Sequence, residues 1–373
     1  MVRKDSPKGV EISFRWPTFD PETVIPSALP IGKKVFELGH NEMPCEISIG
    51  QESSFHISRK IIDLPESSSG LEKWSTLKDR IPRRINRERR GWFLTPSRMH
   101  RFSRRLIPYA VVGIITSLAI HAFEPGLVKS GIIEGSFAGS VRLGLLDYPV
   151  LLLIFLPVFF IPIVLRLFAS VWDFQRTRIF RSDTPTPPSI SLPEGRSSDL
   201  EVKATITFPE VREHWSSAKA RVCAGILNPR RKMLLDALGR VEGQQNPPGI
   251  STPLSIRQYA SSELGTGYGE STPLEGPDSE RLFLSPLQIQ QSGDSVELDL
   301  EGGIISLPMP ESSWPGSEYH PIFACHWELQ IMIKRDNLGP LLFVHPLIIQ
   351  GSSDACIIDS IEIRSGRVEM ADN

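Results

Sequence analysis

The sequence predicts a membrane protein in two parts: a two-helix transmembrane hairpin, and an all-β soluble part whose C-terminal half is an antiparallel β-sandwich. Three observations predict it. Two uncharged apolar runs, Leu106 to Phe123 and Tyr148 to Leu165, stand in the middle of the chain. A dense block of arginines precedes the first. From about Asp199 onward, short segments alternate apolar and polar residues between turn signals, with no alternation of strands and helices.

The first 65 residues carry short strand patterns at Val10 to Trp16, Lys33 to Leu38, Cys45 to Ile49 and Phe55 to Ile62. A domain of about 60 residues buries only some 60% of the surface its unfolded chain exposes and is marginal alone. The segment therefore either docks on the C-terminal strands or forms a small β-module of its own.

Residues 66–105 read as a basic juxtamembrane segment. Between Lys78 and Arg105 there are 11 Lys or Arg against the two acids Asp79 and Glu88. Anionic headgroups attract such residues by about 1 kcal/mol each within a Debye length. Arg83, Arg84, Arg87, Arg89, Arg90, Arg98, Arg101, Arg104 and Arg105 are accordingly the candidate anionic-lipid contacts. Trp92 and Phe93 are placed to enter the headgroup layer. The bland alternative is that the block only sets topology.

The transmembrane hairpin covers residues 106–168, with spans at 106–123 and 148–168. A helix crosses the roughly 30 Å hydrocarbon core with about 20 residues, and about 17 suffice. In the second run 14 of the 18 positions to Leu165 are Leu, Ile, Val or Phe, and in the first run nine of 18. Neither shows the polar stripe of a soluble core helix, and a cleavable signal is excluded by position. Pro157 and Pro162 predict a bend in the second helix. The connection from Glu124 to Asp147 carries Lys129 and Arg142 alone as cations, whereas Arg166, Arg176, Arg178 and Arg181 follow the second span. Basic flanks stay on the cytoplasmic side, so both termini are expected there. Four cysteines in 373 residues, read as free thiols, agree with that side.

Residues 182–199 contain four prolines and read as an extended, mobile linker. Beyond it, residues 200–373 form the β-sandwich. Its candidate strands are Leu200 to Phe208, Ala220 to Leu227, Leu254 to Tyr259, Leu282 to Gln290, Ser295 to Leu300, Cys325 to Arg335, Leu341 to Gln350 and Ile357 to Arg364. Within Cys325 to Arg335, Trp327, Leu329, Ile331 and Ile333 share one face. Arg230 to Leu238 reads as a single short helix, and residues 241–280 as a flexible insertion.

No residue set reads as catalytic, cofactor-binding or metal-ligating. Gly265, Gly267 and Gly269 lack the strand, helix start and Gly-Lys-Ser/Thr ending of a phosphate loop. His320, Cys325 and His326 cluster in sequence, but adjacent strand residues point to opposite faces. Hydrolase motifs are missing. Nucleic acid is a poor partner, since the arginines belong to no recognisable module. The expected partners are membrane lipids, anionic ones included, and unidentified proteins. These readings converge on a membrane-anchored, non-catalytic protein-interaction or scaffolding protein with a cytoplasmic β-sandwich. The alternatives are an accessory subunit of a membrane enzyme or transporter complex, or an externally facing adhesion or sensing domain if the topology is inverted.

Overall fold

The computed structural model describes residues 7–18, 20–39, 44–65, 70–132, 139–193, 197–198, 201–241, 282–336, 338–351 and 354–368. The N-terminal elements are β1 (Lys8–Arg15), β2 (Gly32–Glu37), β3 (Ile47–Gly50), β4 (His56–Asp63), α1 (Arg83–Glu88) and β5 (Gly91–Leu94). Two long helices follow, α2 (Arg98–Lys129) and α3 (Val150–Ser182), with β6 (Ser140–Leu143) and β7 (Leu146–Pro149) between them. Next come β8 (Ser189–Ser191), β9 (Val202–Thr207), β10 (Trp215–Ile226), α4 (Arg231–Ala237), β11 (Ile289–Ser292), β12 (Val296–Leu298) and β13 (Gly303–Leu307). The chain closes with β14 (Glu318–Tyr319), β15 (Ala324–Arg335), β16 (Leu338–Leu347) and β17 (Cys356–Ile358). The protein is mostly sheet and divides into two compact units, residues 1–95 with 185–373, and residues 96–184.

In the first unit one sheet has the order β17-β3-β4-β1-β2. Its neighbours are antiparallel except β17, which runs parallel to β3 with Cys356 beside Ile47. Val10, Ile12 and Phe14 alternate along β1 and are buried, as the pleat requires. A C-terminal strand thus completes the N-terminal sheet, so the first 65 residues share their core with the rest of the unit.

The largest sheet runs β11-β10-β15-β16-β5, with β12 also on β10 and β14 on β15. Strands β10 and β15 pair along their whole length, from Trp215 opposite Arg335 to Ile226 opposite Cys325. Trp327, Leu329, Ile331 and Ile333 are fully buried on one face. The edge strand β5 comes from the arginine block. Trp92, Phe93 and Leu94 are buried against β16 instead of being free to enter a headgroup layer. The turn that delivers them depends on Gly91, whose φ of 114° is open to glycine and strained for other residues.

The third sheet, β13-β9-β8, takes its edge from the proline-rich segment. The extended backbone expected there is present, but β8 is fixed by pairing Ser189 with Thr207, and Trp92 Nε1 donates to the Pro185 carbonyl at 2.9 Å. Helix α4 falls where the short helix is expected. The expected strand at Leu254 to Tyr259, the glycines at 265, 267 and 269, and all but the first residue of the 241–280 insertion lie outside the described residues.

In the second unit α2 and α3 pack side by side and antiparallel. The backbone N–H of Ser97 donates to Asp173 at one end, and Gly113 faces Phe155 further along. Arg98–Glu124 and Leu152–Ser182 are each long and apolar enough to cross a membrane, and 11% of each apolar window is buried inside the protein. Phe160, Leu167, Phe168, Val171 and Phe174 are all at least 50% exposed. Helix α3 continues through Pro157 and Pro162. The small β6–β7 ribbon closes the connection, with Val141 opposite Tyr148.

Candidate functional site

Strand β15 places His326, Glu328 and Gln330 on one face by its two-residue period, and all three are buried. Such a polar row in a sheet interior must be answered by hydrogen bonds. Helix α1 supplies the main one. It ends at Arg89, whose backbone N–H donates to Ile85 and whose side chain turns inward. Arg89 Nε and Nη2 donate to the two carboxylate oxygens of Glu328 at 2.9 and 3.0 Å, and Nη1 donates to the Ser285 carbonyl at 2.7 Å. This fork-on-fork geometry is the strong form of an Arg–carboxylate pair. Gln330 Nε2 donates to Glu328 Oε1 at 2.7 Å, and Gln330 Oε1 accepts from Arg221 Nε at 2.9 Å.

On the other side of Glu328, His326 Nε2 lies 3.3 Å from the carboxylate, off the line of a good hydrogen bond. With that proton turned to the carboxylate, Nδ1 accepts from Tyr319 Oη at 2.9 Å. Burial pushes the Glu328 carboxyl upward, but the Arg89 charge, the two Arg89 hydrogen bonds and the nearby His326 imidazole outweigh it and hold the group below the usual carboxylate range. Burial lowers His326 and raises the Tyr319 phenol. Glu328 is therefore ionised, His326 neutral and Tyr319 protonated near neutral pH. Held ionised by Arg89, Glu328 is a weakened base, and Tyr319, its phenol raised by burial, is poorly suited to act as a nucleophile or general base.

A second buried pair links the two larger sheets. Arg59 of β4 donates through Nη1 to Glu318 of β14 at 2.6 Å and through Nε to the Cys45 carbonyl at 2.9 Å. Its guanidinium lies 5.3 Å from the Phe323 ring centroid and 5.7 Å from that of Trp74.

Beside the Glu328 network opens a cavity of about 350 Å³, with Arg84, Arg89, Arg230, Leu287, Tyr319 and His320 in its wall. His320 stacks on Trp74 with ring centroids 4.2 Å apart. Its Nδ1 accepts from the Ile322 backbone N–H at 3.3 Å, which leaves Nε2–H as the free donor. Burial lowers its pKa to about 4.

The arginine block is divided by these contacts. Arg83, Arg84, Arg87 and Arg90 are exposed in the first unit, with Arg84 Nε donating to Glu88 at 2.8 Å. Arg89 is the exception: it is buried and its charge is spent on Glu328, so it drops out of the set of candidate lipid contacts. A lone arginine turned inward leaves little trace in a block of nine arginines between Arg83 and Arg105. Its signal is Glu328, an acidic residue in the interior of a strand whose opposite face is the apolar row Trp327, Leu329, Ile331 and Ile333, which demands a cation. In the second unit Arg98, Arg101, Arg104 and Arg105 lie in the first turns of α2, and Arg176, Arg178 and Arg181 near the end of α3. Antiparallel packing gathers these ends together, and Asp173 joins them, 3.2 Å from His100 Nε2 and 3.0 Å from Arg176 Nη1.

His320, Cys325 and His326 do not converge. Cys325 donates to the Pro315 carbonyl and His326 faces Tyr319. Among the described residues no group of three His, Cys, Asp or Glu side chains is placed to hold a metal. All four cysteines are free thiols. No family model, no curated protein and no solved structure matches the chain.

Proposed function

We propose that the chain is an integral membrane protein whose two-span hairpin anchors a cytoplasmic, non-catalytic β-sandwich that acts as a protein-interaction or scaffolding module. The observation that carries the membrane reading is the exposure of α2 and α3. Apolar windows only 11% buried, in helices of about 48 Å at 1.5 Å per residue, leave large apolar surfaces that water does not tolerate. The arginine-rich ends of both helices lie at one end of the hairpin, and the β6–β7 ribbon at the other has Arg142. That asymmetry supports a cytoplasmic position for both flanks.

The sandwich reading draws on the Arg59–Glu318 pair, which joins the five-stranded and seven-stranded sheets through a buried contact. The non-catalytic reading draws on Glu328, neutralised by Arg89 at the centre of the buried network. Arg83, Arg84, Arg87 and Arg90 remain as exposed cations for an anionic lipid surface.

Thiol accessibility tests the arrangement, since three native cysteines are buried and give little background. Leu145→Cys, at a position 93% exposed between β6 and β7, is expected to react with a membrane-impermeant maleimide on intact cells. Val241→Cys, at a position 68% exposed in the β-rich unit, is expected to react only after permeabilisation. The reverse pattern would make the β-rich unit external, and recovery in the soluble fraction would remove the membrane reading.

A further inference from the structure

The cavity beside Tyr319 has a wall of uneven chemistry. Leu77, Pro82, Ile85 and Leu287 give it an apolar side, and its volume of about 350 Å³ falls within the range of small-ligand sites. Three arginines reach the wall, but two of them are balanced. Arg89 is held by Glu328, and Arg84 shares its charge with Glu88. Arg230 has no hydrogen-bond or ion-pair partner for its side chain among the described residues. Its backbone N–H donates to the Pro321 carbonyl at 2.8 Å, which fixes it beside His320.

His320 is itself 91% buried, and its ring is immobilised by Trp74 and Phe36. The Ile322 N–H occupies Nδ1, so the imidazole offers the cavity one N–H and no charge. That N–H has no hydrogen-bond partner among the described residues and is not sealed from solvent, so it is open to an acceptor in the cavity. One unbalanced guanidinium and one neutral donor suit a single negative charge. A polyphosphate would need several further cations.

We propose that this cavity binds a small amphiphilic carboxylate of the medium-chain fatty-acid class. The carboxylate accepts from Arg230 and from His320 Nε2–H, and the alkyl chain lies against Leu77, Ile85 and Leu287. A charge-assisted hydrogen bond contributes about 1.5–3 kcal/mol, equivalent to a roughly tenfold to hundredfold gain over the uncharged analogue.

The test is calorimetric titration of the full-length chain in neutral-lipid nanodiscs with octanoate and with octanol, after subtraction of empty discs. Saturable 1:1 binding of octanoate, about tenfold or more tighter than octanol, is expected. Arg230→Gln, at an exposed position, is expected to remove that advantage while leaving octanol binding unchanged. Leu77→Trp, which fills the apolar side, is expected to weaken both. Octanol binding as tightly as octanoate would overturn the proposal, as would an Arg230→Gln protein that keeps the octanoate preference. Octanoate heat no greater than that of empty discs would also overturn it.

Discussion

The indole N–H of Trp92, four residues before the chain enters the helical unit at Pro96, donates to the carbonyl of Pro185, the first residue after it returns. The outgoing and returning strands are thus clasped by a hydrogen bond inside the β-rich unit. Trp92→Phe keeps the ring packed against Phe343 and removes the donor, so about 0.5–1.5 kcal/mol of stability is expected to be lost. Amide exchange at residues 189–191 is the sensitive readout. Faster exchange there than in β10 is expected, and unchanged protection would show that the bond contributes nothing.

The Arg89–Glu328 pair gives a stronger effect. Arg89→Leu leaves Glu328 ionised and buried without its counter-charge, and a loss of about 3–5 kcal/mol is expected in denaturant unfolding of the full chain. Arg89→Leu combined with Glu328→Leu removes both charges and is expected to recover much of that loss. A double variant less stable than the single one would contradict the pairing argument.

Acid is expected to weaken the β-rich unit in two stages. His320 has an ordinary value of 6.5 and a folded value of about 4, so the fold resists its protonation. The stability tied to neutral His320 is whole above about pH 6.5 and declines as the pH falls towards 4. Glu328, held below its ordinary 4.5, adds a second decline below that pH. Thermal unfolding of His320→Gln between pH 7 and 4 is expected to show a shallower pH dependence than the parent. Parallel curves would assign the first stage to other groups.

Close approach of α2 and α3 depends on Gly113. A β-carbon there would stand 2.8 Å from the Phe155 ring, inside van der Waals contact. Gly113→Leu is expected to lower the thermal stability of the detergent-solubilised protein by about 1–3 kcal/mol, the ordinary penalty for overpacking. Phe155→Ala in the same chain is expected to relieve part of it. An additive or worse double variant would place the clash elsewhere.

For the exposed cations, changing Arg83, Arg84, Arg87 and Arg90 to Gln is expected to reduce lipid contact without disturbing the core, unlike any change at Arg89. Lipid cross-linking in nanodiscs containing anionic lipid should fall in the quadruple variant and fall further with salt, as the Debye length shortens from about 10 Å at 0.1 M to about 3 Å at 1 M. Equal cross-linking in neutral and anionic discs would leave the block without a lipid role.

Period and composition were legible in the sequence wherever one rule governed a segment. The alternation of Trp327, Leu329, Ile331 and Ile333 located β15, and the long apolar runs located α2 and α3. Strand β5 was hidden because Trp92 and Phe93 sit among arginines, where local composition points to the membrane surface and the pairing with β16 lies about 250 residues away. Strand β8 was hidden by the prolines on either side of it, which fix an extended backbone but carry no information about its partner. The cavity was invisible for a related reason: Leu77, Arg230 and His320 belong to three distant stretches that only the folded chain assembles. The strand β15 did offer a clue, since Glu328 stands between the apolar residues Trp327 and Leu329 and a buried carboxylate requires a cation from somewhere.

The position of β5 at the edge of the largest sheet also has a consequence for biosynthesis. Its partner β16 is the last strand of that sheet to be made, after the helices and after β10 and β15. At about 5–20 residues per second, β5 waits for its neighbour for some tens of seconds after leaving the ribosome. Over that interval Trp92, Phe93 and Leu94 have no sheet to join, and Arg89 has no glutamate. The nascent chain must hold an apolar strand and a stranded cation in reserve until β15 and β16 have been made, which makes this the interval when a chaperone is most needed.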